Sequence, residues 1–176
     1  MVIVRRTYIR TLIVFLICIS ALSCYGQTYD HKENAVYVYN FIKYTSWAQK
    51  KTVVHVGIVG DSRVEDELRR LFSKKINSSS TYTVKRITSA EARTVDVVIV
   101  AEAATDQLKA IDKQTARTPI LIITEKENMA RQGACISFFI DEDNDYKTGY
   151  QLSIRNCKAR GLSVSEQIQN NAVLTR

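Results

Sequence analysis

The sequence predicts a single α/β domain of three layers, in which a mostly parallel sheet is flanked by helices and followed by a C-terminal antiparallel hairpin. Two observations lead to this fold class. From residue 53 to residue 132, short apolar segments alternate with amphipathic ones, which is typical of β–α–β crossovers in a parallel sheet. Two further apolar segments are then separated by the polar residues 142–145, and so short a link predicts antiparallel pairing.

The first 26 residues have the pattern of a signal peptide. Three arginines precede the apolar stretch 11–22, which is too short to span a bilayer comfortably. Small residues follow, and cleavage after Gly26 would leave Gln27 as the first residue. The predicted domain is therefore 27–176, which is long enough for one hydrophobic core.

Cys24 raises two alternatives to soluble export. A lipoprotein signal also ends just before a cysteine, and Ser23 suits that pattern. The pattern requires Leu three residues before the cysteine, whereas this sequence has Ala21 there. We therefore expect a soluble periplasmic protein rather than one anchored by a lipid at Cys24, with an uncleaved membrane anchor as the third possibility.

The charge of the chain does not predict nucleic-acid binding. The formal net charge is +7, but three arginines leave with the signal peptide, so residues 27–176 carry +4. The remaining positive residues are scattered apart from pairs such as Arg69 and Arg70. This distribution is typical of a solvated surface, and nucleic acid is not an expected partner of an exported protein.

Two cysteines, Cys135 and Cys157, remain after the signal peptide. A pair separated by 22 residues in an oxidising compartment can form a disulfide, although both side chains can equally be small buried hydrophobes. His31 and His55 show no ligand spacing with them, so neither a metal nor another cofactor is predicted.

The domain is expected to open with a helix, for which Asp30 and Glu33 have the spacing of a capping pair. Apolar residues recur on one face, as in a helix packed on a sheet. The same segment is dense in aromatic side chains, which favour protein interfaces. A core face and a partner-binding face are both open interpretations, and they are compatible. The candidate partner surface consists of Tyr37, Tyr39, Tyr44 and Trp47.

The alternation that follows predicts strands and helices in turn. The predicted strands are 53–60, 82–87, 95–101 and 120–124, then 134–141 and a second hairpin strand at 150–154. The predicted helices are 63–74, 105–116 and 124–132, then one from residue 155 that ends at Gly161 and one from residue 163 to about 171. Ser or Thr three residues before Glu predicts a capping box at three helix starts: Ser62 with Glu65, Thr124 with Glu127, and Ser163 with Glu166.

The acidic turn of the hairpin partly matches a calcium loop. Asp141, Asp143 and Asp145 occupy the first three ligand positions. The sixth position is Tyr146 instead of Gly, and the twelfth is Leu152 instead of Glu. The pattern therefore favours a solvated turn without metal.

Polar residues at the predicted carboxyl edge of the sheet define a candidate small-ligand site, Asp61, Ser62 and Glu102. Open α/β sheets bind ligands at this edge. A catalytic reading would require a pocket that joins His55 to Asp61 and Ser62, and no activated nucleophile is evident in the sequence.

Three segments resemble, in order and spacing, the YfiR family of exported bacterial proteins. They are AVYVYNFIKYTSW at 35–47, VGIVGDSRVEDEL at 56–68, and the segment from Gly133 onward. The matching residues are Tyr39, Asn40, Phe41, Lys43, Tyr44, Thr45, Trp47, Gly60, Asp61, Gly133, Ile136, Phe138, Asn156, Gly161, Leu162 and Ser165. The sequence departs from the family pattern at Ala48, where Pro is frequent.

The resemblance implies a periplasmic regulator without enzymatic activity. Members of the family bind the periplasmic domain of a membrane diguanylate cyclase, hold it inactive and so restrain cyclic-di-GMP synthesis and biofilm formation. They tend to form homodimers and often contain more than one disulfide. The alternative function is a periplasmic protein that binds or senses a small ligand and acts with a membrane histidine kinase.

Overall fold

The computed structural model describes residues 31–74, 80–144 and 146–175. The predicted signal peptide, its cleavage site at Gly26 and Gln27, Cys24 and the capping residue Asp30 lie outside these ranges, as does Asp145 of the acidic turn. No helix among the described residues is long and apolar enough to cross a membrane.

The described chain contains five α-helices, nine strands and three 3-10 turns. The helices are α1 (His31–Tyr44), α2 (Val64–Ser73), α3 (Leu108–Gln114), α4 (Ile154–Ala159) and α5 (Glu166–Gln169). The strands are β1 (Thr45–Ser46), β2 (Val53–Val59), β3 (Thr81–Arg86), β4 (Val97–Val100), β5 (Leu121–Thr124), β6 (Ile136–Asp141), β7 (Lys147–Leu152), β8 (Ser163–Val164) and β9 (Val173–Leu174). The 3-10 turns span Ser89–Thr94, Glu102–Gln107 and Ala130–Gln132.

Seven strands form one sheet in the order β3-β2-β4-β5-β6-β7-β9. The strands from β3 to β6 are parallel, and β7 pairs antiparallel with β6, with Phe138 opposite Tyr150. The predicted mostly parallel sheet and its hairpin are thus confirmed. A second, two-stranded sheet joins β1 to β8, with Thr45 opposite Val164. This small sheet connects the end of α1 to the C-terminal segment.

The core lies on both faces of the large sheet, which confirms the three-layer fold. On one face, α1, α2 and α5 cover strand residues such as Ile58, and Phe41 is completely buried there. On the other face, α3 and the first two 3-10 turns cover residues such as Ile122. Strands β4 and β5 are buried along their whole length because both of their faces are covered.

Two predicted capping boxes are wrong, one because its carboxylate has other partners and the other because no helix follows. Ser62 accepts the N–H of Val64, but the Glu65 side chain binds Arg69 and Arg86 instead of the helix start. The predicted helix 124–132 is reduced to the 3-10 turn Ala130–Gln132, so Thr124 caps no helix.

The third predicted box, at Ser163 and Glu166, is also wrong. Ser163 lies in β8, and the last helix begins at Glu166 with Ser165 before it. A complete capping box occurs instead at Thr88 and Glu91, in front of a 3-10 turn. The predicted helix 105–116 likewise begins as a 3-10 turn and is α-helical only in α3.

Candidate functional site

The residues that follow β2, β4 and β5 come together at the carboxyl edge of the parallel strands. Gly60 follows β2 directly and has a left-handed conformation (φ 89°), and an added Cβ would lie 2.8 Å from that of Ala104. This close approach places Asp61 and Ser62 beside the turn after β4. The resulting open cleft has a volume of about 610 Å³. It is lined by His31, Asp61, Ser62, Arg63, Glu102, Ala103, Glu125 and Lys126, and so contains all three predicted small-ligand residues.

Glu125 is a further carboxyl group of this cleft, and the sequence analysis did not identify it. Its Oε1 accepts a hydrogen bond of 2.5 Å from the Ser62 hydroxyl. Burial raises the pKa of Glu125 above its usual range, although hydrogen bonds from Ser62 and from the Glu102 backbone oppose this effect. The cleft therefore holds a carboxyl group that takes up a proton more readily than an exposed glutamate does.

Arg86 fixes the outer side of the same edge. Its Nη2 donates to Asp61 at 2.8 Å and its Nε donates to Glu65 at 2.5 Å. Hydrogen bonds from Arg86 and then from Arg69 lower the pKa of Glu65. Because Arg86 ends β3, this ion-pair network joins the edge strand to α2 and holds Asp61 at the rim of the cleft.

The structure does not assemble the residues that a hydrolase would need here. His55 lies near the start of β2, and its Nδ1 is 2.8 Å from the Thr83 hydroxyl. Ser62 lies seven residues further along, beyond the other end of the strand. At about 3.3 Å per residue, the two side chains are roughly 20 Å apart along the strand. The His55 side chain is exposed on the surface of the sheet.

The four candidate partner-surface aromatics lie on different parts of the fold. Tyr37 stacks on Phe41, with 6.0 Å between the ring centroids. Tyr39, on the opposite side of α1, contacts Tyr82 edge to face, with 5.8 Å between the ring centroids. Tyr37 and Tyr44 line a groove of about 480 Å³ between α1, the hairpin and the C-terminal segment. Trp47 donates its indole N–H to the Pro119 carbonyl at 2.9 Å. All four are half-buried, so each combines a core contact with an accessible edge.

Cys135 and Cys157 are buried thiols whose side chains contact one another. Cys135 directly precedes β6, and Cys157 lies in α4. The hydrogen bond to Cys135 and burial together raise the pKa of Cys157, so this thiol stays protonated. Both are free in the structure, and the disulfide remains a prediction. The ranges 31–74, 80–144 and 146–175 contain no group of three or more His, Cys, Asp or Glu that could hold a metal.

Comparison with known proteins identifies a family. The sequence profile of a family described as YfiR/HmsC-like matches residues 31–173. This range includes every residue that the structure describes except 174 and 175. A search of curated proteins finds no match.

Two solved structures share the fold. A conserved domain protein from Vibrio cholerae O1 biovar El Tor superposes with a TM-score of 0.55 at 10% identity, covering 84% of this chain and 60% of that one. The ABC domain from Streptococcus pneumoniae, in complex with L-Trp, has a TM-score of 0.54 at 9% identity, covering 82% and 59%. The chain thus spans about 60% of the length of these structures. At such low identity the likeness concerns the fold alone.

Proposed function

The chain belongs to the YfiR/HmsC-like family, and from that premise we propose that it binds and represses the periplasmic domain of an inner-membrane signalling protein of diguanylate cyclase type. The family consists of periplasmic regulators of cyclic-di-GMP signalling. The proposed protein acts without catalysis, as a homodimer, and restrains biofilm formation. Its export depends on the predicted signal peptide, residues 1–26.

The observation that carries this proposal is the family match over residues 31–173. The first and the last of the segments that resemble the family are in direct contact in the fold. Thr45 pairs with Val164 across the small sheet, and the backbone N–H of Ser165 donates to the Tyr44 carbonyl at 3.0 Å. The family-like residues at the two ends therefore belong to one structural unit beside the groove that Tyr37 lines.

Repression requires a difference in affinity between two states of the receptor. A bound regulator shifts an equilibrium only by the ratio of its affinities for the active and inactive conformations. To change a 1:99 population into 99:1, that ratio must be about 10⁴, or about 5.5 kcal/mol. The proposed regulator must therefore contact a part of the periplasmic domain that changes shape on activation.

Site-specific photo-crosslinking in cells tests this proposal. A photoreactive amino acid at position 44 would lie on the rim of the Tyr37–Tyr44 groove, and one at position 109 on the exposed side of α3 is the matched control. We expect position 44 to crosslink to an inner-membrane diguanylate cyclase more strongly than position 109. Equal labelling at both positions, or no membrane partner at either, contradicts partner binding at the Tyr37–Tyr44 groove.

Small-ligand sensing through a membrane histidine kinase is the second candidate function. The open cleft that contains Ser62, Glu102 and Glu125 favours it, because it lies at the edge where α/β sheets bind ligands. The Streptococcus pneumoniae neighbour is in complex with L-Trp, which concerns that protein. A thermal-shift screen of small metabolites tests this function. A ligand must raise the melting temperature of the wild-type protein but not of Glu102→Gln.

A further inference from the structure

A groove of about 350 Å³ lies at the amino edge of the sheet, opposite the cleft described above. It is bounded by the residues that precede β5 and β6 and by α4. Its lining includes Arg117, Arg131, Arg155 and Arg160 but only one acidic residue, Asp112. Four positive charges and one negative charge give this basic groove a formal net charge of +3.

One arginine of the basic groove is a fixed structural element. Arg160 is 5% exposed and donates to both the carbonyl and the hydroxyl of Thr115 at 3.0 Å. It also forms an ion pair with Asp112. Gly133 leaves the space for this pair, since a Cβ there would lie 2.2 Å from the Asp112 carboxyl carbon. The single carboxylate of the groove is therefore already engaged.

The other three arginines are Arg117, Arg131 and Arg155. Their side chains are exposed and form no ion pair or side-chain hydrogen bond within the described part of the chain. At two of these three positions, the local backbone structure is unfavourable for an arginine. Arg117 has a φ of 60°, which side chains with a Cβ rarely adopt. Arg155 lies in the first turn of α4, where a positive charge is unfavourable. The groove thus concentrates positive charge that an external anion would neutralise.

We propose that the basic groove binds carboxylates of an acidic segment of a protein partner. A guanidinium presents paired N–H donors that match a carboxylate, and three flexible arginines around a fixed one can engage more than one acidic side chain. This inference about the basic groove rests on the proposed function only for the identity of the protein partner. The chemistry of the groove is independent of it.

The shape of the groove favours an acidic peptide over a membrane surface. A bilayer requires a broad contact in which basic and exposed apolar side chains act together. The large hydrophobic residues exposed in the described chain are Val36, Val53, Tyr146, Val173 and Leu174, and none of them lines the groove. A concave surface lined by arginine and lacking such residues fits side-chain carboxylates.

Fluorescence anisotropy with a labelled hexaglutamate peptide tests the proposal at low ionic strength. The test variant replaces Arg117, Arg131 and Arg155 with Ser. The matched control replaces Lys85, Arg93 and Lys109 with Ser, which removes the same charge from exposed positions outside the groove. We expect the test variant to bind the peptide at least about tenfold more weakly than wild type, and the control within about twofold of it. Circular dichroism of each variant confirms folding.

Several results would overturn the proposal. No binding to the wild-type protein, or equal weakening in both variants, would show that the groove is not an acidic-peptide site. Inorganic phosphate and phosphatidylglycerol vesicles are tested in parallel. Groove-dependent binding of either, without binding of hexaglutamate, would assign the groove to a free anion or a lipid surface. Repression in cells is measured separately, so a protein that still represses while failing to bind the peptide refutes only this inference.

Discussion

The hydroxyl of Ser62 donates a 2.5 Å hydrogen bond to the Glu125 carboxylate, which joins the turn after β2 to the turn after β5. β4 lies between these two strands in the sheet. The contact therefore links the turns on either side of the middle strand at the carboxyl edge and fixes one carboxyl group of the cleft.

Glu125 is expected to make stability depend on pH. Burial raises its folded-state pKa, so the folded protein keeps the proton to higher pH than the unfolded chain does. The stability that the protonated form contributes is complete below the unfolded pKa of about 4.3 and is lost as pH rises through the folded pKa. Glu125→Gln cannot titrate, so its stability relative to wild type should increase as pH rises from the unfolded pKa through the higher folded pKa.

Urea unfolding of both proteins across this pH range measures the effect. Glu127→Gln is the matched control, because that residue is exposed in the same turn. Parallel curves for wild type and Glu125→Gln would contradict the raised pKa, whereas the Glu127→Gln curve should follow wild type.

Gly133 and Gly161 form a natural comparison of two left-handed glycines. Both have a positive φ, 103° and 71° respectively, but only Gly133 faces a close neighbour, Asp112. Ala at position 161 should cost about 1–2 kcal/mol for the backbone conformation alone. Ala at position 133 should cost more, because the methyl group must also displace Asp112 from Arg160. Chemical denaturation measures both changes, and equal losses would refute the close approach.

Arg160 is expected to be the structural arginine of the basic groove. Arg160→Ala leaves the buried Thr115 carbonyl without this donor and should lower the free energy of unfolding by about 1–3 kcal/mol. Arg155→Ala, on the exposed side of α4, should change it by at most about 0.5 kcal/mol. Thermal unfolding of the two variants gives the comparison. A larger loss of stability in Arg155→Ala than in Arg160→Ala would contradict the structural role assigned to Arg160.

The Cys135–Cys157 pair is expected to oxidise in an oxidising compartment. A disulfide closing this loop would stabilise the protein by about 3 kcal/mol, and reductant should remove that gain. A Cys135→Ser, Cys157→Ser variant should be insensitive to reductant. Alkylation and mass spectrometry of protein isolated from the periplasm without reductant measure the state of the pair. Modification of both thiols would exclude the disulfide.

Much of the fold can be predicted from local patterns in the amino-acid sequence. Alternating apolar segments predict a parallel sheet, and parallel strands place their carboxyl ends together, so Asp61 and Glu102 were expected at one edge. Glu125 was not identified because Thr124 and Glu127 predicted a helix cap, which assigned the residues after the strand to a helix instead of to the cleft. The order of the strands, and the pairing of β9 with β7, depend on contacts that no local pattern contains.

The capping error at Ser62 and Glu65 has a physical cause that the sequence pattern does not contain. A Ser or Thr three residues before Glu shows that a box is possible, but not which partner the carboxylate chooses. At Glu65 a charged guanidinium competes with a backbone N–H, and the charge-assisted bonds from Arg69 and Arg86 form instead. At Glu91 the carboxylate instead accepts from both the backbone and the hydroxyl of Thr88, and the box forms.

The most direct test of the proposed function is the cellular concentration of cyclic-di-GMP in the source organism with and without this protein. Deletion should raise the concentration several-fold, and the wild-type chain with its predicted signal peptide, expressed in trans, should restore it. A chain lacking residues 1–26 should fail to restore it, because it would not reach the periplasmic domain of the receptor. An unchanged concentration after deletion, under conditions where the protein is expressed, would contradict the proposal and favour small-ligand sensing through another pathway.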